Sequence, residues 1–142
     1  MDKIFVDTNV LIDHLAERQP FCQAAKQIFQ KAETGQLLMC VSTLSICNIA
    51  YIVRKLKPNA DTATMLEQLS NLASLTQIDK TVIALALKAG FKDFEDAVQH
   101  FSAVNEGGVT HLITRNPSDF EKSLLPVFSP EAYLKQWTIK EV

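Results

Sequence analysis

The sequence predicts an α/β fold: a three-layer α/β/α sandwich on a central, mostly parallel sheet. Three observations predict it. Short apolar runs without polar alternation recur along the chain, as expected of strands buried on both faces of a parallel sheet. Stretches with apolar residues at three- and four-residue steps lie between those runs and read as amphipathic helices. Caps and turn residues, not linkers or repeats, punctuate the succession, and strands alternating with helices give layered α/β architecture. With 142 residues the chain is expected to form one domain over residues 1–142, since halves would be too small to bury a good core.

The first strand is read at Lys3–Val6, which ends at Asp7-Thr8-Asn9. A helical stretch begins around Val10 and breaks near Gln19-Pro20. Ala24, Ala25, Ile28, Phe29 and Ala32 then mark a second helix, stopped by Gly35. Residues 37–41 form the second strand. Ser42 or Thr43 caps a helix striped by Ile46, Ile49, Ala50, Val53 and Leu56, which Lys57-Pro58-Asn59 ends. Met65, Leu66, Leu69, Leu72 and Ala73 define a further helix, followed by a short strand at 75–78. Asp79 caps the helix that runs to Gly90. Asp93 opens the next, carrying Ala97, Val98, Phe101 and Val104 to Gly107-Gly108. His111–Ile113 is a strand, Ser118-Asp119-Phe120 a single helical turn, and residues 124–128 an edge strand because Pro126 lacks an N–H. Ser129-Pro130-Glu131 starts the last helix.

Composition excludes several classes. Hydrophobic residues make up 47% and charged residues 21%, which excludes a disordered chain. The formal net charge of −2 means that any nucleic-acid contact must be local. Three cysteines without C-x-x-C spacing argue against a disulfide scaffold, and scattered histidines against a zinc site. No apolar stretch reaches the length of a membrane span, and no signal-peptide pattern opens the chain. A cytoplasmic, reducing location is expected.

In open parallel sheets the ligand crevice lies beyond the carboxyl ends of the strands. That rule selects Asp7 after the first strand, Thr114-Arg115-Asn116 and Asp119 after the fourth, and Asp93, Glu95 and Asp96 in the first turn of a helix. Taken singly, Asp93, Glu95 and Asp96 are ordinary helix-start acids, worth about 0.3–1 kcal/mol each. Together they are harder to explain, because two carboxylates 4 Å apart repel by about 4 kcal/mol at an effective dielectric of 20. Converging acids need protonation, a basic partner or a bound cation. An all-oxygen pocket suits Mg²⁺ or Mn²⁺, which polarise phosphoryl oxygens and activate water. Other uses of an acidic rim fit less well. A haloacid-dehalogenase phosphatase wants a second acid where Asn9 stands; a receiver phosphoacceptor wants a lysine that residues 124–129 do not supply; no phosphate-cradling glycine loop is present.

Val6-Asp7-Thr8-Asn9-Val10-Leu11, Asp93-Phe94-Glu95-Asp96-Ala97-Val98-Gln99 and Ile113-Thr114-Arg115-Asn116-Pro117-Ser118-Asp119-Phe120 resemble, in order and spacing, the motifs of PIN domains. At this length the chain is similar to the VapC-type toxin halves of bacterial toxin–antitoxin pairs. The resemblance implies a PIN-like fold and Mg²⁺/Mn²⁺-dependent endoribonuclease activity on RNA. It also implies a homodimer and a small antitoxin partner. By position, Asp7, Asp96 and Asp119 would be the catalytic metal ligands, with Asn9, Thr114 and Asn116 supporting them. The family's remaining acid, a glutamate after the second strand, is replaced here by Asn48, a neutral and weaker ligand. Asp93, three residues before Asp96, is the expected source of the missing charge.

Arg115, Arg54 and Lys55 are the candidate RNA contacts. Arg115 is expected beside the acids, with Asp119 as its alternative partner. Helix-end pairing is the competing explanation for Arg54 and Lys55. Phe21, Phe29, Tyr51, Phe91, Phe101 and Trp137 are read as core. The alternative function is a catalytically weakened PIN-like module that binds RNA or protein; a DNA-flap nuclease would need clamping helices for which 142 residues leave little room.

Overall fold

A computed structural model describes residues 1–140. Five parallel strands, β1 (Lys3–Val6), β2 (Leu38–Ser42), β3 (Ser74–Thr76), β4 (His111–Ile113) and β5 (Val127–Phe128), lie in the order β3-β2-β1-β4-β5. The helices are α1 (Thr8–Leu15), α2 (Cys22–Glu33), α3 (Thr43–Leu56), α4 (Thr62–Leu72), α5 (Lys80–Lys88), α6 (Phe94–Glu106) and α7 (Pro130–Lys140), with a 3-10 turn at Pro117–Phe120.

The absence of alternation in the strands has the expected cause: both faces are covered. Ile4, Val6, Met39, Val41 and Ile113 point into one core with residues of α1, α2, α3 and α7. Phe5, Cys40 and Leu112 point the other way, against Ala103 of α6 and Phe120 of the 3-10 turn. Val82 and Ala86 of α5 join Ala97, Val98 and Phe101 of α6 in the outer part of that layer. Full burial of such side chains is worth about 1.5–3 kcal/mol each, so the sheet is held from both sides.

Several boundaries move from where the sequence puts them. α1 begins at Thr8, two residues early, because Asp7 is its N-cap and accepts a hydrogen bond from the Thr8 amide at 2.8 Å. β5 shrinks to Val127–Phe128; Pro126 contributes only its carbonyl, which accepts from Leu112 N–H at 2.8 Å. β2 and β3 shift by a residue, and β3 stops before Ile78. Gly35 and Gly90 follow their helices at φ of 75° and 72°, the left-handed conformation that ends a helix without steric cost in glycine.

The strand order fixes where a site can form. The chain runs from β1 outward through β2 to β3, then returns to place β4 and β5 on the other side of β1. The crevice of such a sheet opens between the carboxyl ends of β1 and β4. Beneath it lies a buried polar cluster. Thr8 Oγ1 and Ser45 Oγ are 2.7 Å apart, Gln99 Nε2 donates to both at 3.2 Å, and Ser42 Oγ donates to Ser45 Oγ at 3.2 Å. One amide from α6 thus ties the starts of α1 and α3 together. Gln99→Leu is expected to cost about 1–3 kcal/mol, because the hydroxyls lose a buried partner; urea denaturation measures it, and an unchanged midpoint contradicts that role.

Candidate active site

Asp7 sits at the switch point, only 8% exposed. Its main-chain N–H donates to Ile113 O at 2.9 Å, stitching it to β4. One carboxylate oxygen accepts from Thr8 N–H; the other accepts from Thr114 Oγ1 at 3.0 Å. Burial pushes its pKa up, the bonds from Thr114 and Thr8 hold it down, and the charges of Glu95 and Asp119 push it up again. Thr114, fully buried, also accepts the Asn116 N–H at 3.2 Å. Asn116 closes the following turn through its backbone, its carbonyl accepting Asp119 N–H at 3.0 Å.

Asp96, on the first turn of α6, is half-buried and its pKa is raised to about 7. Desolvation is the leading cause, followed by the negative charges of Asp7, Asp93, Asp119 and Glu95. Five carboxylates from three distant segments therefore share one electrostatic neighbourhood. Among the described residues no lysine, arginine or histidine is ion-paired with any of them.

The one arginine nearby is engaged elsewhere. Arg115 Nε lies 2.9 Å from Asp13 Oδ2, and its guanidinium stacks 4.0 Å above the Phe21 ring. Asp13 is 1% exposed and is also bonded by Arg18 Nε at 2.9 Å. Of the two expectations for Arg115, pairing with Asp119 is thus corrected: its partner is the buried carboxylate of Asp13 on α1. Asn9 is exposed and its carbonyl accepts from Arg18 at 3.1 Å; among the described residues its side chain has no hydrogen bond to the acids. The buried hydroxyls of Thr8 and Ser45, with Gln99, lie beneath the site instead. The Ser/Thr content around positions 8 and 42–45 was the available signal.

Asn48 reaches the site from α3. Its Nδ2 donates to Glu95 Oε1 at 2.7 Å. Asp93 Oδ1 accepts the Asp96 N–H at 2.9 Å and caps α6. Arg54 and Lys55 are about two turns, ~10 Å, further along α3. They are not gathered with the acids, and the Lys55 ammonium lies 4.4 Å above the Tyr51 ring. Tyr51 is 62% exposed, so its assignment to the core is corrected; Ile49 and Val53 occupy the inward face.

Among the described residues no three carboxylate, thiol or imidazole groups form a ready-made ion cage. The donor chemistry nonetheless fits a hard divalent cation: all oxygen, mutually repelling and without a basic partner.

A PIN-domain family model matches residues 3–118. The chain belongs to the PIN-domain family. It is 24% identical over 140 residues to ribonuclease VapC1 of Aquifex aeolicus (strain VF5), covering 96% of each chain. Among solved structures it is similar to a toxin–antitoxin complex from Klebsiella pneumoniae, with a TM-score of 0.67 and 22% identity over 89% of this chain and 97% of that one. It is also similar to FitAcB from Neisseria gonorrhoeae, with a TM-score of 0.68 and 17% identity over 90% and 98%. In this PIN domain the acidic rim occupies the crevice that the sheet order dictates.

The raised Asp96 carboxyl makes a signed prediction. The folded protein keeps this proton up to about pH 7, whereas an unperturbed carboxyl near 3.8 has already released it in the unfolded chain. Stability therefore falls as pH rises between those values. In EDTA, Asp96→Asn is expected to melt above wild type at pH 8, with the difference shrinking toward pH 4. A difference that widens on acidification contradicts the assignment.

Proposed function

We propose that this PIN protein is a metal-dependent endoribonuclease that hydrolyses RNA phosphodiester bonds and serves as the toxin of a toxin–antitoxin pair. The observation that carries the reading is the rim of carboxylates at the ends of β1 and β4, with no cation among the described side chains to neutralise it. The similarity to a ribonuclease over nearly the whole chain supports it.

Asp7, Asp96 and Asp119 would hold Mg²⁺ or Mn²⁺. When bound, such an ion supplies Lewis-acid polarisation of a phosphoryl oxygen and a water of lowered pKa. The chain's own residues do the rest. Thr114 and the Thr8 amide fix both oxygens of Asp7, so this carboxylate is oriented in advance and loses little entropy on binding. The Asn116 carbonyl accepts the Asp119 N–H and so holds the turn that carries Asp119. Asp93 caps the helix that carries Asp96.

An RNA strand leaving the rim along α3 would meet exposed Tyr51 and then Lys55 and Arg54, which are assigned to the phosphates and to base stacking. A small antitoxin and a second copy of the chain are the proposed protein partners, in the cytoplasm. The groove of about 530 Å³, where Leu15, Phe29, Met65, Leu69 and Leu72 alternate with His14, Glu33, Gln68 and Asn71, offers mixed apolar and polar surface for a protein partner. No helix of the described residues is long and apolar enough to cross a membrane.

Asp7→Asn is expected to lower RNA cleavage in Mn²⁺ or Mg²⁺ by at least about a hundredfold without lowering the melting temperature, because an amide needs less desolvation than a buried carboxylate. A gel-based cleavage assay and a thermal melt measure both. Cleavage at the wild-type rate in the variant contradicts the function. Persistent RNA binding in EDTA, with no cleavage under any divalent ion, favours the non-catalytic alternative.

A further inference from the structure

Glu95 lies at the second position of α6, where an acid is favoured by the helix dipole and needs no partner. An exposed glutamate there gains by swinging into water, away from like charges. This one does not. It is bonded at 2.7 Å to a side chain 47 residues away, on a helix of the opposite layer. Because a carboxylate only accepts, the amide group facing it is the NH₂ of Asn48. The bond sits directly above the buried cluster next to Asp7: Asn48 is one turn beyond Ser45 on α3 and Glu95 one turn before Gln99 on α6, and Ser45 and Gln99 both bond Thr8, the residue after Asp7.

Asp93, the other candidate for the charge that Asn48 lacks, is turned to its own helix. Its Oδ1 caps the Asp96 amide. Asparagine at position 48 also matches glutamate at 95 in a way that an acid would not, since an ionised carboxylate has no proton to donate and would repel Glu95.

Resting on the metal-dependent reading above, we propose that Glu95 is the fourth carboxylate of this site and that Asn48 is the positioning residue that holds it beside Asp7. The charge supplied from the α3 side in other arrangements comes here from α6, and α3 contributes the amide that orients it. Asp93 adds to the negative potential around Asp96, but its carboxylate is committed to the helix cap.

Mn²⁺ affinity, measured by calorimetry on the full chain without RNA, tests this independently of cleavage. Glu95→Gln is expected to weaken Mn²⁺ binding by at least about tenfold and Asn48→Ala by about tenfold, the low end of the range found when groups that orient metal ligands are removed. The double variant is expected to bind no more weakly than Glu95→Gln alone, because Asn48 acts through Glu95. Asp93→Asn, which retains a good cap, is expected to weaken binding less than Glu95→Gln does. Melting in EDTA shows that each variant is folded, and Glu95→Gln should melt at or above wild type. Wild-type affinity in Glu95→Gln, with affinity lost in Asp7→Asn, overturns the role of Glu95 while leaving the nuclease site standing. Loss in Asp93→Asn with Glu95→Gln intact does the same. Equal Mn²⁺ binding by wild type and Asp7→Asn overturns both.

Discussion

The hydrogen bond from Thr114 to Asp7 joins residues 107 positions apart, and the site depends on it. It forms because β1 and β4 are neighbours, the chain having returned past β1 to add its last two strands on the other side. A carboxylate ending a central strand cannot reach water freely. Thr114 and the first amide of α1 supply part of the solvation that burial removes. They do not neutralise its charge, and the acids around it add to that charge. The fold thus keeps negative potential at the one edge where a doubly wound sheet can present a ligand.

Two further arrangements maintain that potential. Gln99 draws α1, α3 and α6 together through uncharged groups, so the helices that carry the acids are registered without placing a cation among them. Asp13, meanwhile, captures Arg18 and Arg115 toward the other end of α1 from Asp7. Arg115 adjoins the closing turn in sequence and, unpaired, would be the natural counter-ion for Asp119. A buried acid with two partly buried arginines and an aromatic stacking surface holds it instead. The acidic rim stays uncompensated because the nearest positive charge is committed to another carboxylate.

Most of the architecture was legible because it is written in local pattern. Runs such as Ile4-Phe5-Val6 can only be strands covered on both faces, and Asp79, Asp93 and Ser42 announce their helices as caps. Local pattern failed where one residue serves two elements: Asp7 is both strand end and helix cap, which moved the start of α1. The candidate acids stood out in the sequence at two strand ends and one helix start. Their partners did not, since Asn48 with Glu95 and Arg115 with Asp13 are contacts between side chains far apart in sequence, and no periodicity encodes them. Tyr51 was misplaced for a simpler reason. An aromatic on an amphipathic helix suggests core, but Ile49 and Val53 already fill the inward stripe of α3, leaving Tyr51 outside with Lys55 across its ring.

The central claim is that carboxylates from opposite ends of the chain converge on a divalent cation. Crystals grown with Mn²⁺ and measured at a wavelength where manganese scatters anomalously test it most directly. The account predicts an anomalous peak between Asp7 and Asp96, about 2.0–2.3 Å from their oxygens, with Arg115 still on Asp13. A fully ordered rim with no peak, or one in which Arg115 has swung across to neutralise Asp7, contradicts it.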